Sequence, residues 1–143
     1  MRVNIVGLTK HNFHEVVTLV WRIMHSEYED YKRTEAERIV RDNAEGVRVL
    51  EVNDEVAGAY IYTETPMVYN LNYLAFKPQF KKTKAAYSLY KDMMQRLSGR
   101  PIIIAIYSDN DEILQFAKKR GTFLGRFPAR EHKTIEYYSL NRK

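Results

Sequence analysis

The 143-residue chain contains no cysteine, only four prolines and six glycines, and a single tryptophan. Without thiols it can form neither disulfides nor thiolate metal sites, which excludes cysteine-rich secreted scaffolds and Cys-ligated zinc folds. Long apolar runs are also missing: Ile102 to Ile106 is typical of what there is, against the ~20 residues needed to cross a bilayer. No Gly-rich phosphate loop, dinucleotide fingerprint or Gly-x-Ser-x-Gly elbow occurs. The four histidines, His11, His14, His25 and His132, have no ligand spacing, so no metal site is expected. What is present is 45% hydrophobic and 13% aromatic, and a chain this long buries roughly two-thirds of its unfolded surface in an ordinary core. Met1-Arg2-Val3 leads straight into a strand-like segment. These features describe one compact, soluble, cytoplasmic domain over residues 1–143.

Charge is unevenly distributed. Residues 1–76 carry 8 Lys/Arg against 12 Asp/Glu, and residues 77–143 carry 15 against 6. A basic C-terminal half suits an anionic ligand: a phosphate-bearing cofactor, a nucleic acid or an acidic protein.

Periodicity orders the elements. Val3 to Val6 reads as a strand, and Asn12 with Glu15 as a capping box for a helix carrying Phe13, Val16, Val17, Val20, Trp21 and Met24. Thr34 and Glu37 read as a second box for a shorter helix ending near Gly46. Val47–Val52 and Val56–Tyr62 alternate as strands across Asn53-Asp54-Glu55, which is hairpin chemistry. Met67 to Phe76 is a third strand, followed by a helix over 83–97. Ile102 to Tyr107 reads as a strand covered on both faces. A helix with a capping box begins at Asp109-Asn110-Asp111-Glu112 and ends on Lys118-Lys119-Arg120 with Gly121 as its C′ glycine. Phe123–Phe127 and Thr134–Leu140 are the last strands. The order β-α-α-β-β-β-α-β-α-β-β makes an α+β domain on one mixed sheet.

The segment richest in chemistry runs from Leu74 to Ala86. It is a strand, a short basic turn and a helix start, with Lys77, Lys81, Lys82, Lys84 and Lys91 and no acid between 77 and 91. Unpaired amides and the positive dipole end of a helix, wrapped in lysine, make a pyrophosphate cradle. Small Ala85 and Ala86 would let a ligand approach the backbone.

Phe76-Lys77-Pro78, then Lys81-x-x-Lys84-x-Ala86, then Asn110 followed by Phe116 and Gly121, carry a resemblance to the GNAT superfamily of N-acetyltransferases over nearly the whole chain. That family shows a hydrophobic-x-Pro strand end, an Arg/Gln-x-x-Gly-x-Gly/Ala loop that binds acetyl-CoA, and an Asn-x-x-Ala-x-x-(Leu/Phe)-Tyr-x-x-x-Gly-Phe signature. The resemblance implies a mixed, mostly antiparallel sheet of about seven strands flanked by about four helices. It implies acetyl-CoA as cofactor, held by Leu74, Ala75, Phe76, Lys81, Lys82, Lys84, Ala85, Ala86 and Asn110. In the family the pantetheine arm enters between two splayed strands, here Met67–Phe76 and Ile102–Tyr107. An amine, on a small molecule or a peptide, then attacks the acetyl carbon directly. Three positions depart from the family: Lys84 replaces a glycine, Ala117 the tyrosine that protonates the leaving thiolate, and Asn70 the glutamate some members use as base. Tyr107, Tyr138 or Tyr87 would then supply the acid's hydroxyl, and Glu64 or Glu51 would stand in as base on a neighbouring strand, Tyr107 and Glu64 being those expected to be catalytic. The first two helices and their connector line the acceptor groove in this family, which places Tyr28, Tyr31, Glu27, Glu29 and Asp30 near a cationic amine.

Two other readings stand beside acetyl transfer. One is the same fold without catalysis, resembling small GNAT-like proteins of tailed phages that serve as virion or host-modulating modules. The other is a nucleic-acid or acidic-partner binder using Lys81, Lys82, Lys84, Lys118, Lys119, Arg120, Arg126 and Arg130, for which no established binding motif is present. No membrane partner is expected.

Overall fold

The computed structural model describes residues 1–129 and 133–140. Arg130 and His132, weighed above, lie outside them, as does the side chain of Glu27. The elements are β1 (Val3–Gly7), α1 (Phe13–Glu27), α2 (Arg33–Asp42), β2 (Val47–Val52), β3 (Glu55–Glu64), β4 (Tyr69–Phe76), α3 (Lys84–Arg96), β5 (Ile102–Tyr107), α4 (Asp111–Arg120), β6 (Gly121–Pro128) and β7 (Thr134–Leu140). Seven strands form one mixed sheet in the order β1-β2-β3-β4-β5-β7-β6. β4 and β5 run parallel, whereas β1–β2, β2–β3, β5–β7 and β6–β7 are antiparallel. The fold is α+β, with the element order expected. Within it the chain packs as two compact units, residues 1–62 with 73–93, and residues 63–72 with 94 onward.

In the first unit α1 presents Val16, Val17, Leu19 and Val20 to Val47 and Val49 of β2 and to Val56, Ala59 and Ile61 of β3, while α2 adds Ala36 and Val40. The i, i+3, i+4 spacing of these residues puts one apolar stripe on each helix, and burying it holds the helices to the sheet. Asn53 and Asp54 both have positive φ, 52° and 67°, the backbone of a type I′ turn, whose twist matches the strands it joins.

Two predicted caps are built differently. Asn12 precedes α1, but its side chain is buried and turns back on the β1–α1 loop: Nδ2 donates to Gly7 O at 3.0 Å and Oδ1 accepts from Thr9 N at 2.8 Å. Glu15, its expected partner, reaches Lys77 instead, at 2.8 Å. α2 starts at Arg33 with Lys32 before it, so Thr34 lies inside the helix and no side chain caps that end. Asn12→Ala should therefore cost about 1–3 kcal/mol, because two loop groups lose buried partners. Urea denaturation measures it, and a loss under about 0.5 kcal/mol would show that the loop holds without Asn12.

In the second unit β5 is not covered on both faces. Ile102, Ile104 and Ile106 are buried while Ala105 is exposed, because strand side chains alternate and an unbroken apolar run does not by itself report two buried faces. Gly121 is also not left-handed: its φ of −134° and ψ of 177° are extended, and α4 passes directly into β6. Glycine is required there by contact, since a Cβ would lie 2.7 Å from Ser139 O. β6 is the last strand in the order and half-exposes Phe123, Leu124 and Phe127. On β7, buried Glu136 accepts from Tyr138 Oη at 2.8 Å and faces Arg126 Nη2 at 3.7 Å. No helix of the described residues is long and apolar enough to cross a membrane.

Candidate functional site

The end of β4 sets up the basic turn. Leu74 and Phe76 are buried, and the Phe76 ring lies 5.5 Å from Tyr90 of α3. Lys77 N donates to Ala57 O at 2.8 Å, which ties the strand end to β3. Lys77 Nζ is held by Glu15 and, at 3.5 Å, by Glu55, so this lysine is spent on structure. Pro78–Phe80 then form a single 3₁₀ turn, for which proline's fixed φ is preorganised. Lys81 is extended, and Lys82 takes the left-handed backbone at φ 59°, a strained state for a residue with a Cβ.

Thr83 completes the turn. Its Oγ1 donates to Phe80 O at 2.6 Å and accepts from Ala86 N at 3.1 Å, and Tyr87 N donates to Thr83 O at 3.1 Å. It is therefore the cap of α3, and the amides of Lys84 and Ala85 are the helix-end donors ahead of the one it satisfies. The signal was a threonine immediately before an apolar-periodic run. Lys81, Lys82 and Lys84 are exposed. Lys84 opens α3 without positive φ, so its backbone is one that a residue with a Cβ adopts without strain. Ala85 and Ala86 are 2% and 1% exposed: their small side chains serve the interior, and only their backbone faces the turn.

A second cluster lies on the other face of β4. Tyr73 and Ala75 pack with Trp21, Met24 and Tyr31 against the α1–α2 core. Trp21 Nε1 donates to Tyr31 O at 3.2 Å, and the indole stacks on His25 at 4.6 Å. The Tyr31 hydroxyl is buried without a hydrogen-bond partner. Burial raises its pKa, the neighbouring Tyr73 and Glu35 raise it further, and Arg38 opposes them. Burial likewise raises Tyr73. Tyr73 was missed from sequence, although strand alternation puts it on the face opposite Leu74 and Phe76. A separate cavity of about 620 Å³ at the β1–α1 loop, lined by Leu8, Phe13, His14 and Arg41 among others, includes none of the predicted site residues.

The other predicted residues belong to the second unit. Asn110 caps α4, its Oδ1 accepting from Ile113 N at 3.5 Å. Tyr107, at the end of β5, is half-buried opposite Ile135. Ala117 is 0% exposed, and its carbonyl accepts the Gly121 N–H. Glu64 is exposed at the end of β3, where Arg100 holds its carboxylate at 2.8 Å, also donates to Thr65 O and lies 5.0 Å over the Tyr69 ring. Asn70 lies opposite Ile103. Tyr138 is engaged by Glu136, and its pKa is raised by burial first and by that hydrogen bond second. No group of three or more potential metal ligands occurs among the described residues.

No protein-family model matches the sequence, and no curated protein matches it. Solved structures do match the fold. An N-acetyltransferase from Staphylococcus aureus Mu50 superposes with a TM-score of 0.80 at 12% identity, over 100% of both chains. A protein assigned to the GNAT acetyltransferases of Desulfovibrio desulfuricans gives 0.75 at 16% identity, over 99% of this chain and 100% of that one. The Salmonella typhimurium protein yncA, solved with its cofactor acetyl-CoA, gives 0.80 at 10% identity, over 100% of this chain and 95% of that one. The chain has the GNAT acetyltransferase fold, in a divergent sequence.

Proposed function

We propose that this GNAT-fold chain is an acetyl-CoA-dependent N-acetyltransferase of the cytoplasm that transfers acetyl directly to an amine on a small molecule or peptide. The observation that carries the reading is the Thr83-capped start of α3, where the amides of Lys84 and Ala85 open the helix in a stretch of chain whose Lys81, Lys82 and Lys84 are all exposed. This arrangement fits the cofactor's diphosphate. A positive helix end favours an anion, the loop in front of it is fixed by Lys82's left-handed turn and Thr83's two hydrogen bonds, and no acid lies in the first turn of α3 to oppose it.

Bound there, acetyl-CoA would supply an activated thioester. The chain's own part would be to hold and orient: Lys81, Lys82 and the α3 amides would hold the diphosphate, and the backbone N–H groups of Leu74 to Phe76 would orient the arm and donate to the thioester carbonyl. The acceptor amine must be neutral to attack. The half-buried ring of Tyr73, which packs with Tyr31 on the α1–α2 side of β4, is the proposed side chain beside which it is oriented. Tyr107 is the proposed donor to the leaving thiolate and Asn110 a further cofactor contact. Glu64 is the proposed base, and the weaker of the two catalytic assignments because Arg100 already engages its carboxylate.

One observation favours a second reading, a GNAT-fold binder without turnover: the position of the family's tyrosine acid is the fully buried Ala117. Two measurements separate them. Acetyl-CoA and CoA should each raise the melting temperature, increasingly with concentration, and free CoA thiol should appear when a panel of amines and peptides is added. Stabilisation without thiol release selects the binder; absence of stabilisation by either ligand removes both readings.

A further inference from the structure

The cavity at the β1–α1 loop has no part in acetyl transfer and lies wholly within the first unit. At about 620 Å³ it falls inside the roughly 300–1,000 Å³ range of small-molecule sites. Its lining comes from three places in the chain. Leu8 and Phe13 supply apolar surface that packs against the α1–α2 core, Lys10 and His14 stand on the loop and in the first turn of α1, and Arg41 belongs to the last turn of α2.

These walls are fixed by contacts of their own. The loop closes on the buried Asn12 side chain through Gly7 O and Thr9 N, and Phe13 N donates to Thr9 O at 3.0 Å. Arg33 Nη2 donates to His14 O at 3.1 Å, which ties the start of α2 to α1. The Arg41 guanidinium lies 5.7 Å from the centroid of the Phe13 ring, and the Phe13 and His14 rings meet edge to face at 5.4 Å. The guanidinium is thus seated on an aromatic base, with its N–H edge left to bind.

The charge here is out of keeping with its surroundings. Acids outnumber bases 12 to 8 over residues 1–76, and elsewhere in this unit cations find them: Arg2 pairs with Asp54, and Lys77 with Glu15 and Glu55. Glu15, next to His14 in sequence, is thereby engaged elsewhere. No acid is among the lining residues; Asp42 and Glu45 are exposed beside it in sequence without lining it. Neither Lys10 nor Arg41 has a carboxylate partner among the described residues. Two uncompensated cations around an apolar-floored cavity create a potential that favours an anion. A bare inorganic ion would leave Leu8 and Phe13 uncovered and most of the volume unfilled.

We propose that this cavity is a second ligand site, for a small organic anion: Lys10 and Arg41 hold its phosphate or carboxylate, and Leu8 and Phe13 pack against its aromatic or apolar body. The Arg41 fork can take two oxygens at once, and Lys10 adds a point charge. The site shares no residue with the proposed acetyl-CoA site and does not depend on that reading.

A two-dimensional ¹H–¹⁵N NMR titration of the full chain with phenyl phosphate and with benzoate tests it, against inorganic phosphate and phenol. At least one of the two aryl anions should shift the amides of residues 8–14 and 41–44 saturably. It should bind at least about tenfold more tightly than inorganic phosphate or phenol, because charged head and ring contribute together. The tighter of the two arms tells a phosphate site from a carboxylate site. Lys10 and Arg41 are exposed, so Lys10→Gln and Arg41→Gln leave the core intact, and each should weaken that binding by about tenfold. No saturable shift at residues 8–14 with either aryl anion, shifts centred on residues 81–86 instead, inorganic phosphate binding as tightly as both, or unaltered affinity in both variants overturns the proposal.

Discussion

Replacing Gly46 by alanine should cost several kcal/mol, enough to lower the melting temperature by on the order of 10 °C or more. A Cβ on Gly46 would lie 2.0 Å from the Tyr62 carbonyl oxygen and 3.1 Å from its carbon. Both belong to backbone that cannot swing aside, and Tyr62 is fixed within β3. Gly99 is the control, because a Cβ there meets nothing within 4 Å, and Gly99→Ala should change stability by less than about 0.5 kcal/mol. Guanidinium or thermal denaturation of the two variants side by side is decisive; equal, small losses would mean that β3 yields where the contacts say it cannot. Gly58 occupies an intermediate position. Its Cβ would lie 2.6 Å from the Phe76 ring and 2.8 Å from Ala75 O. Part of that clash can be relieved by turning the ring, at the expense of the strand end that precedes the basic turn.

Reversing the charge of Lys81 or Lys82 should move ligand affinity and stability of the free protein in opposite directions. Lys81→Glu and Lys82→Glu should each weaken acetyl-CoA binding by at least about tenfold and together by about a hundredfold, since an attractive contact to a diphosphate becomes repulsive. In the absence of ligand the same changes place carboxylates ahead of α3, where the dipole favours them by about 0.3–1 kcal/mol each at low salt. A merely structural role predicts no such pairing of effects. Calorimetry with acetyl-CoA and melting curves without it supply both halves, and unchanged dissociation constants for the two single variants would sink the assignment. Lys84→Gly carries the question further. Lys84 is exposed on an ordinary helical backbone, so its loss should weaken binding; tighter binding would show that the side chain obstructs the cradle.

How far these features are legible in the sequence depends on how local their causes are. β2 emerges with its observed bounds because Val47, Val49 and Val52 are set by strand geometry and by a hairpin whose turn residues are next to them. The basic turn emerges for the same reason, since Lys77 to Ala86 is one contiguous segment. Partnership across the chain is not legible in this way. Asn12 and Glu15 match a capping box letter for letter, yet each side chain finds a stronger use: Asn12 in a loop that closes behind it, Glu15 with a lysine brought over from the end of β4. Lys77 counted as one of five ligand-facing cations until two carboxylates claimed it. The hydroxyl of Thr83 organises the helix start, a role settled by its contacts with Phe80 and Ala86 rather than by the charge pattern around it. The apolar run of β5 has the composition of a two-sided strand, but burial of a face depends on what the rest of the fold lays over it, and Ala105 receives no such cover. Tyr73 had to wait for the packing of α1 and α2 before its position mattered.

The half-exposed side chains of Phe123, Leu124 and Phe127 on the outermost strand bear on how the protein behaves in the tube. Their hydration is unfavourable and becomes more so when sulfate is excluded from the surface, so a phenyl-type chromatography resin should retain the protein in ammonium sulfate and release it as the salt is withdrawn. Concentrated stocks should cloud on salting-out sooner than a net charge of +5 would suggest.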